Sequence, residues 1–391
     1  MISVENALKL VKEQVQPLSR SAEVSLNNAF GRYLSEDVLS KIDMPPFPQS
    51  GMDGYAVHFS EEIDRYELIG EIAAGSDFHP SLKLGQAVRI FTGGAVPESA
   101  TTVVRQEDVL VEDGWISFTA GVKQNMNIRP KAEQIAVDEI ALPKGSYLDA
   151  AAIGYLGMLG HDRVHVIDSP KVAILTTGDE LVKPGQALAY GQVYESNSIM
   201  LEQAFRSKSI HQIQHVKLPD DYDQTVAAIE KVLNDCDLIV LSGGISVGDY
   251  DYVKSGLEAN GVEEVFYKVK QKPGKPLFFG TKNQKCIFAL PGNPAAALTA
   301  FYVYLFPALQ QMQGGQFEGC TRIQLPIATD YIRKAKRAEF LKGKIENNEV
   351  AVLSAQSSAM LSSFTQADGL IYIPFETLEL KKGDEVEVLL I

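Results

Sequence analysis

The segment DLIVLSGGISVGDYDYVKSGLEA, residues 237–259, decides the fold class of this chain. It begins with an apolar run, continues through a loop with three glycines and then takes on a helical pattern. Apolar strands that lead directly into helices are typical of mostly parallel sheets, whose strands are buried on both faces. We therefore predict a strand, a glycine loop and a helix, within an open α/β core.

The same alternation continues on both sides of this segment. The runs KVAILTTG (171–178) and CIFALPG (286–292) are also apolar, end in a glycine turn and precede helical patterns. Because ligands bind beyond the carboxyl ends of strands in such a sheet, the loops that follow these strands should converge on one cleft. We also predict that Ser3 caps the first helix and that Asp223 caps the helix over 225–233.

Short β patterns flank this core. Alternating, β-branched runs fill residues 55–130, and a second set begins near residue 320. The predicted fold class is α/β plus β, in an elongated multidomain chain.

Composition narrows the function classes. The chain has 391 residues and a net charge of −14, which speaks against a basic nucleic-acid-binding protein. Its three cysteines, Cys236, Cys286 and Cys320, form no CxxC motif and fit a reducing compartment. The most apolar segment, 295–309, contains a proline and is too short to span a bilayer. We expect a cytoplasmic protein with no membrane span.

Several loops carry candidate chemistry. Gly243, Gly244 and Gly248 would let backbone N–H groups approach an anion, and Asp249 is suited to a hard cation such as Mg²⁺. The alternative is a tight turn with aspartate caps. Asp179 and Glu180 in TTGDEL supply further carboxylates, although such an aspartate is often only an N-cap.

Other loops point to an anionic ligand. Lys272 and Lys275 flank Pro273-Gly274 and form a local cationic turn in an acidic protein; the alternative is a solvated surface turn. The PGNP turn presents Pro291 and Pro294 at a helix start. Asp53 of MDGYA and the hydroxyl of Thr92 are further candidates, and neither is specific alone.

Six motifs together carry a family resemblance. MPPFPQSGMDGYAV, IFTGGAVP, LTTGDELV, LSGGISVGDYDYV, QKPGKPLFFG and LPGNPAAAL occur in this order. In this the chain resembles the molybdopterin molybdenumtransferase family, which includes MoeA and the gephyrin E domain.

The resemblance implies four units. They are a discontinuous linker domain (1–38 and 131–168), a β-rich domain (39–130), an α/β molybdopterin-binding-like domain (169–315) and a C-terminal β-barrel (316–391). It also implies a head-to-tail homodimer with its cleft near the subunit interface.

The implied reaction inserts molybdate into adenylylated molybdopterin, with Mg²⁺, and releases AMP and molybdenum cofactor. The implied partners are an enzyme that supplies the adenylylated pterin and acceptor molybdoenzymes or their chaperones. The non-catalytic alternatives are a cofactor carrier and a dimeric scaffold.

The resemblance assigns roles by motif. Asp53, Thr92, Glu180 and Asp249 would be catalytic, with Asp179, Glu180 and Asp249 near the metal. The residues implied in substrate binding are Gly243, Gly244, Ser246, Gly248, Lys272, Lys275, Pro291, Pro294, Arg337 and Ser358. The chain departs from the family in NIRPKAEQI, where Ala132 replaces a glycine and Gln134 replaces an aspartate.

Overall fold

The structure is a computed structural model that describes residues 1–73, 75–219, 221–243, 252–333 and 336–391. The predicted site residues Gly244, Ser246, Gly248 and Asp249 lie outside the described residues.

The N-terminal part of the chain is made of short strands and two helices. In chain order these are α1 (Val4–Gln14), β1 (Ser21–Ser25), β2 (Val38–Leu39), β3 (Gln49–Ser50), β4 (Gly54–Val57), β5 (Tyr66–Ile72), β6 (Gln86–Ile90), β7 (Thr102–Arg105), β8 (Val109–Glu112), β9 (Trp115–Phe118), β10 (Ile128–Arg129), β11 (Ile140–Leu142), α2 (Ala150–Met158) and β12 (Arg163–Ile167). One sheet has the order β7-β4-β6-β5-β9-β8. The chain enters and leaves this sheet through three antiparallel pairs, β1 with β12, β2 with β11 and β3 with β10.

The central part alternates strands and helices. Its elements are β13 (Val172–Thr176), β14 (Leu181–Val182), β15 (Val193–Tyr194), α3 (Asn197–Arg206), β16 (Ile213–Lys217), α4 (Tyr222–Asp235), β17 (Leu238–Ser242), α5 (Tyr252–Ala259), β18 (Glu263–Tyr267), β19 (Gln271–Lys272), β20 (Phe278–Lys282), β21 (Lys285–Leu290), α6 (Pro294–Ala300) and α7 (Phe306–Met312). The main sheet has the order β16-β13-β17-β21-β20-β18. Strands β16, β13, β17 and β21 are parallel, which confirms the predicted open α/β core.

Burial on both faces explains why the central strands β13 and β17 are apolar up to their last residue. Along β13 and β17, Ile174 and Val240 belong to one hydrophobic cluster, and Leu175 and Ile239 belong to the cluster on the opposite face. Successive side chains of a strand point to opposite faces, so a strand covered on both sides has no polar position.

The apolar segment 295–309 lies in this core as α6, a π-helical turn at Phe301–Leu305 and the start of α7. None of the helices in the described ranges is long and apolar enough to cross a membrane.

Helix caps were predicted with mixed success. Ser3 caps α1 as predicted, because its hydroxyl accepts a hydrogen bond from the Asn6 amide at 3.2 Å. The prediction for Asp223 is wrong. Asp221 caps α4 and accepts from the Gln224 amide at 2.9 Å, since its extended backbone starts the helix two residues earlier. Asp223 lies in the first turn, where the helix dipole favours an acidic side chain.

The C-terminal part is a β unit. Its strands are β22 (Arg322–Pro326), β23 (Tyr331–Ile332), β24 (Ala338–Glu346), β25 (Glu349–Val352), β26 (Gly369–Ile373), β27 (Glu379–Leu380) and β28 (Glu385–Leu390). The main sheet has the order β19-β24-β26-β28-β22, with β25 beside β24. Because β19 comes from the α/β core, this sheet joins the two parts by backbone hydrogen bonds.

Arg20 connects the N-terminal part to the α/β core. Its guanidinium donates to Asp168 at 2.9 Å and to both carboxylate oxygens of Asp237 at 2.9 and 2.6 Å. Burial alone would raise the pKa of Asp237, but hydrogen bonds from Arg20 and from the Lys171 amide lower it overall. The Asp237 carboxylate is therefore stabilised in its charged form by the fold.

We expect Arg20→Met to lower the free energy of unfolding by about 2 kcal/mol at pH 7, because it leaves two partly buried carboxylates without the guanidinium that neutralises them. The folded-state pKa of Asp237 is depressed, so this stabilisation is complete above the ordinary pKa of about 4 and is lost as the pH falls through the folded-state value. Urea unfolding of both proteins at pH 7 and at acidic pH measures this difference.

The control is Arg163→Met, which removes an exposed ion pair with Glu23. Exposed pairs contribute under about 1 kcal/mol. Equal losses in the two variants, or a difference that does not shrink in acid, would contradict the role of Arg20.

Candidate active site

The described residues that follow β13, β17 and β21 line one cavity, as the sequence predicted. This cavity, here called the strand-end cavity, has a volume of about 810 Å³. Its lining includes the predicted residues Glu180, Gly243, Pro291 and Pro294. Parallel register brings these residues together, because Thr176, Ser242 and Leu290 are aligned at the ends of adjacent strands.

Glu180 supplies a carboxylate to the strand-end cavity. Gly178, with φ of 129°, makes the turn that precedes it, and the carboxylate folds back over this glycine. A Cβ at position 178 would lie 2.6 Å from Glu180 Oε2, so a larger residue there would displace the carboxylate, and the φ of 129° itself favours glycine. Within the described ranges, no hydrogen bond or ion pair occupies the Glu180 carboxylate.

Asn197, at the start of α3, forms part of the cavity wall and was not predicted from the sequence. Its amide nitrogen donates to Ser242 Oγ and to the Gly292 carbonyl, both at 2.8 Å. Its Oδ1 atom is buried and has no hydrogen-bond partner in the described part of the chain. Asparagine is common at helix starts, so the residue type alone did not indicate a functional role. Its contacts are with loop residues 45 and 95 positions away in the chain, which the local sequence does not reveal.

Four other predicted residues meet in a second, smaller cavity. Lys272, Lys275, Arg337 and Ser358 line a space of about 290 Å³, here called the cation pocket. Pro276, Pro291 and Asn293 line both cavities, so the cation pocket adjoins the strand-end cavity.

The pairing of β19 with β24 creates the cation pocket. The two strands run parallel, with Gln271 beside Ala338 and Lys272 beside Glu339. Arg337 immediately precedes β24, and this pairing brings it close enough to Lys272 and Lys275 to line the same pocket. A hydrogen bond from the Ala338 amide to the Lys270 carbonyl at 3.0 Å continues the junction.

Ser358 reaches the pocket on a loop that docks against the start of α6. Its carbonyl accepts from the Ala295 amide at 3.1 Å, and its hydroxyl accepts from Asn293 Nδ2 at 3.0 Å. Lys342 stabilises the loop by donating hydrogen bonds to the carbonyls of Ser357 and Met360 at 3.4 and 3.1 Å. Burial lowers the pKa of Lys342 to about 8.

Asp53 and Thr92 lie together, but in the N-terminal β sheet. Asp53 Oδ1 accepts from the Thr92 amide at 2.8 Å and from its hydroxyl at 2.7 Å. These bonds lower the pKa of Asp53. The antiparallel pairing of β4 with β6 sets this contact, and Gly54 permits it, because a Cβ there would lie 1.9 Å from the Val104 carbonyl oxygen. Neither Asp53 nor Thr92 lines the strand-end cavity or the cation pocket.

The remaining candidates are less well placed. Asp179 is exposed and lines neither cavity. Among the residues that the structure describes, no three His, Cys, Asp or Glu side chains are close enough together to hold a metal ion. At the strand-end cavity, the Glu180 carboxylate and the buried Asn197 Oδ1 accept no hydrogen bond from the described residues, and oxygen ligands of this kind suit Mg²⁺.

The segment in which the chain departs from the family motif forms backbone hydrogen bonds with residues 44 and 45. Ala132 has a φ of 61°, in the region that favours glycine, and its amide donates to the Pro45 carbonyl at 3.0 Å. Gln134 is exposed, and its backbone N–H donates to the Met44 carbonyl at 2.9 Å. Position 132 therefore has a backbone conformation that glycine adopts readily, while the side chain at 134 is neutral.

Family models match the chain in three blocks. Residues 2–160 match the MoeA N-terminal region (domain I and II), residues 173–311 match a probable molybdopterin binding domain, and residues 324–391 match the MoeA C-terminal region (domain IV).

Relatives and solved structures match over the whole length. The molybdopterin molybdenumtransferase of Haemophilus influenzae is 33% identical over 99% of this chain and 98% of that protein. The protein of the same name from Nostoc is 31% identical over 100% of this chain and 94% of its own length. The crystal structure of the molybdopterin biosynthesis moeA protein from Pyrococcus horikoshii is 28% identical, covers all of both chains and has a TM-score of 0.86. By its sequence over its full length and by its fold, the chain belongs to the molybdopterin molybdenumtransferase family.

Proposed function

We propose that this chain is an enzyme that inserts molybdate into adenylylated molybdopterin, releasing AMP and giving molybdenum cofactor. The observation that carries the proposal is the cation pocket, which adjoins a larger cavity at the ends of parallel strands. The first suits a small oxyanion, and the second has the volume of a site for a cofactor-sized ligand.

Local charge explains how an acidic protein would hold anionic substrates. The chain carries a net charge of −14, so it repels anions at long range. Lys272, Lys275 and Arg337 concentrate positive charge in one small cavity, with the hydroxyl of Ser358 beside them. These groups would bind molybdate and hold it next to the pterin, and such positioning supplies much of the rate in a two-substrate reaction.

We assign the adenylylated pterin to the strand-end cavity. Backbone groups of Gly243 and Gly292 and the hydroxyls of Thr177 and Ser242 would contact its phosphates. The Glu180 carboxylate and Asn197 Oδ1, together with Asp249, would hold Mg²⁺ near the phosphoanhydride, with Asp179 nearby. Bound there, Mg²⁺ would polarise the anhydride for attack by water at phosphorus.

Asp53 and Thr92 would act on the cleft of a second copy of the chain. They form a hydrogen-bonded pair at the edge of the N-terminal sheet, and neither residue lines the strand-end cavity or the cation pocket of its own chain. A head-to-tail homodimer, as the resemblance implies, would present this pair to the partner's strand-end cavity.

The biological setting follows from the reaction. One enzyme must supply the adenylylated pterin, and molybdoenzymes or their chaperones must accept the product. The three cysteines are free and buried, as is usual for proteins of a reducing compartment, and we propose that the enzyme works in the cytoplasm. The carrier and scaffold alternatives predict no AMP release from adenylylated molybdopterin with molybdate and Mg²⁺, so this assay tests the proposal directly.

We expect Lys275→Ala to raise the molybdate concentration for half-maximal AMP release by about tenfold or more, because one charged hydrogen-bond donor is lost. The corresponding value for adenylylated molybdopterin should change by less than about twofold. Initial rates of AMP release at varied molybdate and at varied pterin give both values.

Lys270→Ala is the matched control, since Lys270 is exposed on the same segment and lines neither cavity. An unchanged molybdate dependence in Lys275→Ala would remove Lys275 from the site.

Mixed dimers test whether the cleft is shared between subunits. We expect Asp53→Asn and Glu180→Gln each to be nearly inactive as homodimers. If Asp53 acts on the partner's cavity, a mixed dimer has one complete cleft, and random mixing of the two variants restores about a quarter of wild-type AMP release.

If Asp53 acted within its own chain, every cleft of a mixed dimer would carry one substitution, and activity would not return. Differently tagged subunits, refolded together and purified by both tags, confirm that the mixed dimer has formed.

A further inference from the structure

Glu339 is a buried carboxylate directly behind the cation pocket. It is 0% exposed, and its strand neighbours Ala338, Phe340 and Leu341 are buried apolar residues. A glutamate is almost never fully buried unless it is paired, so its partners define its role.

Two side chains satisfy the Glu339 carboxylate. Lys272 Nζ lies 3.2 Å from Oε1, and the Tyr331 hydroxyl donates to Oε2 at 2.7 Å. Burial raises the pKa of Tyr331, and its bond to Glu339 raises it further, so the phenol keeps the proton that it donates. Lys272 remains 38% exposed by its side chain and lines the cation pocket, so one ammonium group contacts both the buried acid and the cavity.

The other cations of the pocket differ from Lys272. In the ranges that the structure describes, neither Lys275 nor Arg337 forms an ion pair. The three cations that line the pocket and the buried anion paired with Lys272 together leave an excess of two positive charges. That excess equals the charge of a tetrahedral dianion such as molybdate.

We infer that Glu339 is a specificity-determining counter-charge. Through its ion pair with Lys272 it sets the net charge of the cation pocket at plus two, and it thereby limits the affinity of the pocket for a dianion. The inference rests on the proposed function of the pocket. Because Glu339 is shielded from solvent, its repulsion of a bound oxyanion is weakly screened.

The proposed role predicts tighter molybdate binding when the charge of Glu339 is removed, and structural damage would have the opposite effect. Glu339→Gln keeps the shape of the side chain, and the amide oxygen can still accept from Lys272. The variant removes only the negative charge, so molybdate should bind more tightly, whereas a damaged pocket would bind it more weakly.

The test is calorimetric titration of the full-length protein with sodium molybdate and with perrhenate, a tetrahedral monoanion of the same shape. We expect Glu339→Gln to bind molybdate about tenfold more tightly than wild type. The gain for perrhenate should be smaller, because Coulomb energy scales with the charge of the ligand. Unchanged or weaker molybdate binding, or equal gains for both anions, would overturn the inference.

The matched control is Glu387→Gln, which removes the acid of an exposed ion pair with Arg322 in the same β unit. It lies outside both cavities and should leave both affinities unchanged. A gain in Glu387→Gln equal to that in Glu339→Gln would also overturn the inference, because net charge alone would then explain it.

A second comparison gives an answer even if Glu339→Gln does not fold. Lys272→Met leaves Glu339 buried without its cation, whereas Lys275→Met removes a cation with no ion-pair partner in the described residues, so Lys272→Met should have the lower Tm. Equal Tm values would overturn the inference. Failure of the wild-type protein to bind molybdate would instead refute the proposed function of the pocket, and the Tm comparison would still test the Glu339–Lys272 pair.

Discussion

The parallel pairing of β19 with β24 is the interaction on which the site depends. Only two residues of the α/β core take part, yet they bring a strand of the C-terminal unit beside them. As a result, Lys272 and Lys275 from one part of the chain and Arg337 and Ser358 from another line the same cavity. Without this short backbone contact, the charges would belong to separate surfaces.

The net charge of the whole molecule is negative, whereas the local charge of the cation pocket is positive. The molecule as a whole is acidic, and some of its cations form exposed ion pairs, such as Lys381 with Asp330. In the cation pocket the positive charges outnumber the negative ones, and desolvation strengthens their effect on a bound ligand. Long-range repulsion therefore slows the approach of anions from bulk solvent, whereas the local excess of positive charge strengthens their binding once they reach the pocket.

The sequence predicted those features that depend on residues close together in the chain. The apolar strands and glycine turns identified the α/β core, and the parallel topology placed Glu180, Gly243 and Pro291 around one cavity. The cap of α4 was misassigned because Asp221 and Asp223 are chemically equivalent and only the backbone angles distinguish them.

Long-range partners were not predictable in the same way. Glu339 pairs with a residue 67 positions earlier, and Asn197 joins loops from two different strands. Nothing in the residue types nearby indicates those partners, since the contacts arise only after the units pack. In the proposed homodimer, the relation of Asp53 and Thr92 to the cavities would likewise depend on assembly, which the contacts within a single chain do not specify.

The shared sheet also restricts how the parts of this molecule can be exchanged. A chimera that takes its C-terminal β unit from a relative inherits Arg337, Glu339 and the Ser358 loop together, but it must meet Lys272 on a strand contributed by the recipient. A mismatch of one residue in that register would turn the acid away from its lysine, since neighbouring side chains of a strand face opposite sides. The two units are therefore expected to evolve as coupled pieces, even though separate sequence blocks encode them.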